Sequence, residues 1–351
     1  MNRYARIAVC GLASLVLSGC AMAEPMKSGD HPPVGLSAWM AEWDAKSGKE
    51  EFLKQKDELD AVTCFAVYYD KDDNFLVTDE LRDLAKYSGK GKDASVRYLS
   101  FVNDSVGEDG TSKEKDVELL KRLLADDASM NAQVEKMVAL TKELGLTGIE
   151  LDFEKQWKDE TVRANYLDFT YLLSYACLKN GLKFRVVLEP SAPMDADFCK
   201  GPQYVVMLYN LYGTHGDPGP KANSEFIQKT VRKMESLPGE KCVALATGGC
   251  LWEKTDSMFA SLFGTSSYDR KKFLTEKEAV ELQEKHKATP ERDEGSAVLH
   301  FTYEANGKEC EVWYADSETL NAWITEAANA GCSHVALWRY GGNTDIGKVR
   351  K

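Results

Sequence analysis

The 351-residue chain carries 44 Lys and Arg against 56 Asp and Glu, a formal net charge of −12. An acidic total with no basic cluster argues against nucleic acid as a partner, because phosphate-backbone binding needs clustered cations. At 43% hydrophobic and 28% charged residues, with 26 glycines and 10 prolines, the composition is globular and excludes collagen-like or disordered classes.

In chain order, Arg3 and Arg6 precede an apolar run over residues 7–17 that is too short for a membrane span. The run ends in Leu17-Ser18-Gly19-Cys20, which resembles the bacterial lipobox. That resemblance implies a lipoprotein signal peptide over 1–19 and lipidation of Cys20, followed by a polar tether through residue 33. The expectation is an exported lipoprotein of the cell envelope, anchored by lipid rather than spanning the membrane. An ordinary signal peptide cut near Ala21-Met22-Ala23 is the alternative. Past Cys20, seven cysteines remain, none in a CxxC or in zinc-like spacing with histidine. No metal and no cofactor is expected, and most of these cysteines read as small buried hydrophobes.

From Val34 onward, eight short apolar runs recur: Gly35–Trp43, Leu59–Tyr69, Val96–Asn103, Thr147–Glu154, Leu182–Pro190, Gln203–Tyr212, Cys242–Trp252 and His334–Gly342. Helix-like segments separate most of them, such as Lys113–Leu144 and Thr161–Asn180, whose apolar residues fall at helical intervals. Gly145 and Gly181 stand where helix C-terminal glycines are expected. Eight strands alternating with helices predict a parallel α/β protein, and a (β/α)8 TIM barrel over 34–351 fits the count and size. The wide gap between the seventh and eighth runs contains a helix-like stretch, Thr275–His286, and strand-like pieces, Ala297–Tyr303 and Glu309–Tyr314. This predicts a small α+β insertion between strands 7 and 8, over about 266–314.

The fourth run carries the most chemistry. Side chains alternate along a strand, so Ile149, Leu151 and Phe153 share one face while Glu150, Asp152 and Glu154 share the other. The apolar face suits a covering layer of helices, which turns three acids toward the barrel interior. Burial and mutual repulsion there raise at least one carboxyl pKa, and a protonated carboxyl at neutral pH is a general acid. Glu154 comes last, at the C-terminal rim where barrel active sites open.

The segment Gly148-Ile149-Glu150-Leu151-Asp152-Phe153-Glu154 resembles the DGxDxDxE signature on the fourth strand of glycoside hydrolase family 18, the chitinase-like (β/α)8 barrels. Met207-Leu208-Tyr209-Asn210 is similar to that family's sixth-strand MxYD motif, and the segment from His334 through Trp338 to Gly342 looks like its eighth strand. Asp293-Glu294-Gly295-Ser296, followed by Trp313-Tyr314-Ala315-Asp316-Ser317, is similar to the branch that contains spore-cortex peptidoglycan glycosidases. The resemblance spans nearly all of 34–345.

It implies a retaining glycosidase with substrate-assisted chemistry, acting on N-acetylglucosamine-containing polysaccharide, either peptidoglycan or chitin-like. Glu154 would be the acid and base, Asp152 would orient the substrate acetamido group, and Tyr209 would donate a hydrogen bond to its oxygen. Trp338 would floor the sugar, with Met207 and Trp43 also lining the substrate site, and a monomer is expected. Departures from the pattern are Thr147 and Glu150 in place of the first two signature acids, and Asn210 in place of an Asp. Glu150 is expected to support Asp152 by sharing its proton, and Asn210 to contribute a neutral amide. Ser100-Phe101-Val102-Asn103 replaces the usual third-strand motif. The competing readings are a catalytically weak glycan-binding protein on the same barrel and a barrel with another hydrolytic chemistry. Further candidates at the rim are Glu189, Trp39 and His215.

Overall fold

The computed structural model describes residues 25–93, 95–255 and 268–351. The expected signal peptide and the lipidation site Cys20 lie outside the described residues. Eight parallel strands close into a barrel: β1 Gly35–Ala41, β2 Ala61–Asp70, β3 Val96–Val106, β4 Gly148–Asp152, β5 Lys183–Leu188, β6 Gln203–Met207, β7 Glu240–Ala246 and β8 His334–Tyr340. Each pairs with its sequence neighbour, and β8 pairs with β1 to complete the ring.

The two faces of the strands feed different cores. Outward residues such as Leu36, Val62, Leu99, Ile149, Leu151, Val186 and Leu337 join the large cluster beneath the helices. Inward residues form a separate small cluster that includes Trp39, Phe65, Val102, Val187, Val205, Met207 and Ala244. Strand alternation produces this division, because every second side chain points to the axis.

Eight described helices cover the barrel or its insertion: α1 Ala45–Gln55, α2 Asp79–Ser88, α3 Val117–Leu123, α4 Asp127–Glu143, α5 Glu160–Lys179, α6 Ser224–Lys233, α7 Glu276–His286 and α8 Ser317–Asn329. Side-chain caps set most of their starts, for example Asp159, which accepts from the Thr161 and Val162 amides. Gly145 and Gly181 follow α4 and α5 with φ of 66° and 68°, the left-handed geometry that glycine enters at little cost. The helix expected over 113–144 is in fact two. The Asp126 carboxylate accepts from the Ser129 amide and starts α4 afresh, so α3 ends at Leu123.

The run Cys242–Trp252 also divides. β7 ends at Ala246, and Gly248–Lys254 opens a second, five-stranded antiparallel sheet with Tyr268–Leu274, Glu291–Arg292, Leu299–Ala305 and Lys308–Ala315. Helix α7 packs on that sheet around Leu251, Leu274, Ala279, Phe301 and Val312. The α+β excursion therefore lies between β7 and β8, as the spacing predicts, and its first strand begins ahead of residue 266. The turn requires glycine: Gly248 has φ of 63°, and a Cβ on Gly249 would stand 1.8 Å from the Trp313 carbonyl oxygen.

Residues 25–34 have no regular structure but are docked. Met26 is buried and its amide donates to the Glu294 carbonyl at 2.8 Å, and the Gly29 amide donates to Thr325 Oγ1 of α8 at 3.2 Å. The polar stretch expected to act as a tether is thus held against the fold from Met26 on. Six of the seven remaining cysteines are buried, and Cys199 is half-buried. Among the described residues no helix is long and apolar enough to cross a membrane.

Candidate active site

The floor of the site lies inside the barrel and is built on a buried ion pair. Glu150 of β4 stands in register with Arg185 of β5. Both side chains are fully buried, and Arg185 Nε donates to Glu150 Oε2. Trp39 Nε1 donates to the other carboxylate oxygen at 2.7 Å. The guanidinium also donates to Thr63 Oγ1 at 2.5 Å and Ser37 Oγ at 3.3 Å, and lies between the Trp39 and Tyr98 rings at 4.7 and 4.5 Å. This supplies the charge partner and hydrogen bonds that a buried carboxylate requires. It also corrects an expectation. Glu150 is engaged by Arg185 and Trp39 and makes no hydrogen bond to Asp152, so the proton-sharing pair implied by the resemblance is replaced by an ion pair.

Above that floor, at the C-terminal ends of the strands, opens a cleft of about 600 Å³. Asp152, Glu154, Met207, Tyr209, Asn210, Trp338 and Trp43 all line it. The structure therefore brings the substrate and proton-transfer candidates implied by the resemblance to one cavity, with Glu150 one layer below, while the further rim candidates Glu189, Trp39 and His215 do not line it. Trp338 meets Phe65 edge-on at 4.9 Å and Trp39 at 5.7 Å, which leaves it a fixed wall of the cleft. Trp43 is exposed at the rim, 6.4 Å from Trp338, and Arg339 bridges Trp43 and Asp44. Trp39 is buried beneath the cleft and serves the floor. His215 is exposed in a loop after β6 and does not line the cleft.

The electrostatics single out Asp152. Its Oδ1 is buried with no hydrogen-bond partner among the described residues. Burial, reinforced by the nearby charges of Glu154 and Glu150, pushes its carboxyl well above the usual range. Burial also raises Glu154, and Lys115 acts against that rise. Tyr209 is pushed far up by burial and by the surrounding carboxylates, so its hydroxyl keeps its proton and remains a donor.

Two contributors were not identified from the sequence. Lys115, from the loop between β3 and α3, places Nζ 2.6 Å from Glu154 Oε2. Asn103, at the mouth end of β3, accepts from the Glu154 amide at 2.8 Å and donates to its carbonyl at 3.1 Å. Asn103 stands in the third strand, and a polar amide at the end of an apolar run was the available signal. Lys115 lies in a polar loop and had none. On the far wall, Phe273, Thr275 and Glu278 reach in from the excursion, and Lys221 contacts the Thr247 carbonyl at 3.3 Å. Burial lowers the Lys221 pKa. No group of His, Cys, Asp and Glu among the described residues is arranged to hold a metal ion.

No protein-family model matches the chain, and no curated protein matches it in sequence. Solved structures do match. The chain is similar to the Bacillus cereus spore cortex-lytic enzyme SleL, with TM-score 0.72, 18% identity, and 91% of this chain and 74% of that one covered. It is similar to a chitinase from Chromobacterium violaceum ATCC 12472, with TM-score 0.70, 18% identity, and coverage of 90% and 96%. A class V chitinase from Nicotiana tobaccum, in a mutant form in complex with NAG4, gives TM-score 0.71 at 11% identity, with coverage of 90% and 97%. At these identities the likeness shows the fold: a chitinase-type (β/α)8 barrel that extends over nine-tenths of the chain.

Proposed function

We propose that the protein is a retaining glycoside hydrolase of the family 18 type that cleaves β-1,4 bonds in N-acetylglucosamine-containing glycans. The observation that carries this reading is Asp152, whose protonation-prone carboxyl has a buried Oδ1 with no hydrogen-bond partner among the described residues, in the same cleft as Glu154, Tyr209 and Trp338. An acetamido N–H is the kind of donor that Asp152 Oδ1 lacks, and the Tyr209 hydroxyl is a donor for the acetamido oxygen. The likeness to chitinases and a cortex-lytic enzyme supports the substrate class.

The Glu154 carboxyl gives its proton to the glycosidic oxygen as the C1–O bond breaks. The substrate's acetamido oxygen forms a bond to C1 from the opposite face, and Asp152 stabilises the positive charge that develops on the acetamido nitrogen. The Glu154 carboxylate then takes a proton from water, whose oxygen attacks C1 and opens the oxazolinium ring with net retention. The indole face of Trp338 holds the sugar in register. We further propose that the protein is exported and anchored through a lipid on Cys20.

Glycan binding without turnover is the second reading, favoured by the Lys115 contact on Glu154 and by Asn210 in place of an acid. Incubation of the chain and its Glu154→Gln variant with chitooligosaccharides and purified peptidoglycan separates the two. Product from the parent and none from Glu154→Gln is expected. Binding of either glycan without product overturns the enzyme reading, and product unaffected by Glu154→Gln overturns the role of that residue.

A further inference from the structure

The loop that carries Lys115 is built toward Glu154. Lys115 has φ of 54°, a left-handed backbone that non-glycine residues seldom adopt and that is often held at functional sites. Its amide donates to Asp104 Oδ1 at 2.8 Å, and its neighbour Asp116 donates its amide to the Asn103 carbonyl at 2.7 Å. Asn103 is the residue that also brackets the Glu154 backbone. One residue, through its side-chain amide and its backbone carbonyl, therefore fixes the acid and the loop of its cation relative to each other. The Lys115 ammonium meets Glu154 Oε2 at 2.6 Å within the cleft that both residues line.

We propose that Lys115 is a positioning residue for Glu154: its ammonium clamps the carboxyl and governs when that group holds a proton. An ionised carboxylate has no proton to give, so Glu154 must take one up against the pull of Lys115 before it acts as an acid. The groups whose charges bear on the pair are Asp104 on β3, Asp152 on β4 and Glu189 after β5, with Tyr209 after β6 in the same cleft. All of the carboxylates favour protonation of Glu154, and Lys115 opposes them. Removing the cation leaves burial and like charges unopposed, so the sign is an upward shift in the pH at which Glu154 ionises.

The test is a carbon-13 NMR titration of the purified chain with carboxyl-labelled glutamate, in which the Glu154 resonance is identified by its loss in Glu154→Gln. Lys115→Met, which retains the aliphatic stem, is expected to move the Glu154 midpoint upward by about one pH unit or more, the size that a close opposite charge imposes. Lys115→Gln serves the same purpose if the methionine variant does not fold. A midpoint that is unchanged or lower overturns the proposal. Its catalytic side rests on the glycosidase reading: the alkaline limb of kcat/KM is expected to move up in Lys115→Met in step with the titration. Absence of turnover on every glycan refutes the glycosidase reading, while the titration still decides the role of Lys115.

Discussion

Replacing Arg185 with methionine removes the guanidinium that faces Glu150 across the barrel floor. Glu150 keeps the Trp39 Nε1 bond but loses its charge partner, and Thr63 Oγ1 and Ser37 Oγ lose the donors that reach them. Both members of the pair are fully buried, so water cannot replace the lost contacts. Breaking such a pair from one side destabilises a fold by about 3–5 kcal/mol, because an uncompensated charge stays behind. Equilibrium urea denaturation with an unchanged m-value measures the loss directly. The double variant Glu150→Gln with Arg185→Met removes the stranded charge and preserves an acceptor for Trp39, and it should recover most of the stability. A loss below about 1 kcal/mol in Arg185→Met, or a double variant no more stable than the single, refutes the reasoning that this pair neutralises the floor.

Asp152 gives a pH-dependent prediction. Its folded-state pKa is raised, so the stabilisation from its bound proton is complete below the unfolded carboxyl value of about 3.9 and is lost as pH rises through the folded value. Asp152→Asn, neutral throughout, should therefore melt higher than the parent at pH 8 and lose that advantage as pH falls toward 4, as read by calorimetry. Asn103→Ala leaves the Glu154 amide and carbonyl without their side-chain partner, and should cost about 1–3 kcal/mol in urea denaturation together with a fall in kcat. Gly249→Ala forces a Cβ against the Trp313 carbonyl, and overpacking of this kind should lower stability by about 1–3 kcal/mol in the same assay.

The sequence made some parts of the molecule legible for reasons that lie in particular residues. Alternation in Gly148–Glu154 is a local property of one strand, and it was enough to separate Leu151 from Asp152 before any partner strand was known. Gly145 and Gly181 are equally local, because the left-handed turn they make depends on their own backbone. What failed was continuity. Leu119, Leu120, Leu123 and Leu124, and then Val134, Met137 and Leu140, fall at helical intervals across residues 113–144, and only the Asp126 side chain folding back on Ser129 divides them. The run from Cys242 to Trp252 is apolar on both sides of Gly248-Gly249, so the glycine pair was the sign of the break after Ala246, and the flanking apolar residues concealed that they belong to two sheets. The ion pair of Glu150 with Arg185 rests on strand register, and a lone arginine within Lys183–Leu188 was a signal that could have been read. The contact between Lys115 and Glu154 joins residues 39 apart through a loop geometry that no local pattern encodes.

The docked N-terminal segment bears on how far the protein can work from a surface. Residues from Met26 to Val34 run along α8, from the Glu294 end of the excursion down to the entry of β1, where the Gly35 amide meets the Ser333 carbonyl. Under the proposal that Cys20 carries a lipid, the six residues from there to Met26 span at most about 20 Å. A lipid on Cys20 would moor the barrel by its α8 flank, close to the bilayer, and ration the cleft to glycan strands that pass through that thin layer. The reach of the protein would then be set by a handful of residues ahead of Met26, independently of anything in the cleft.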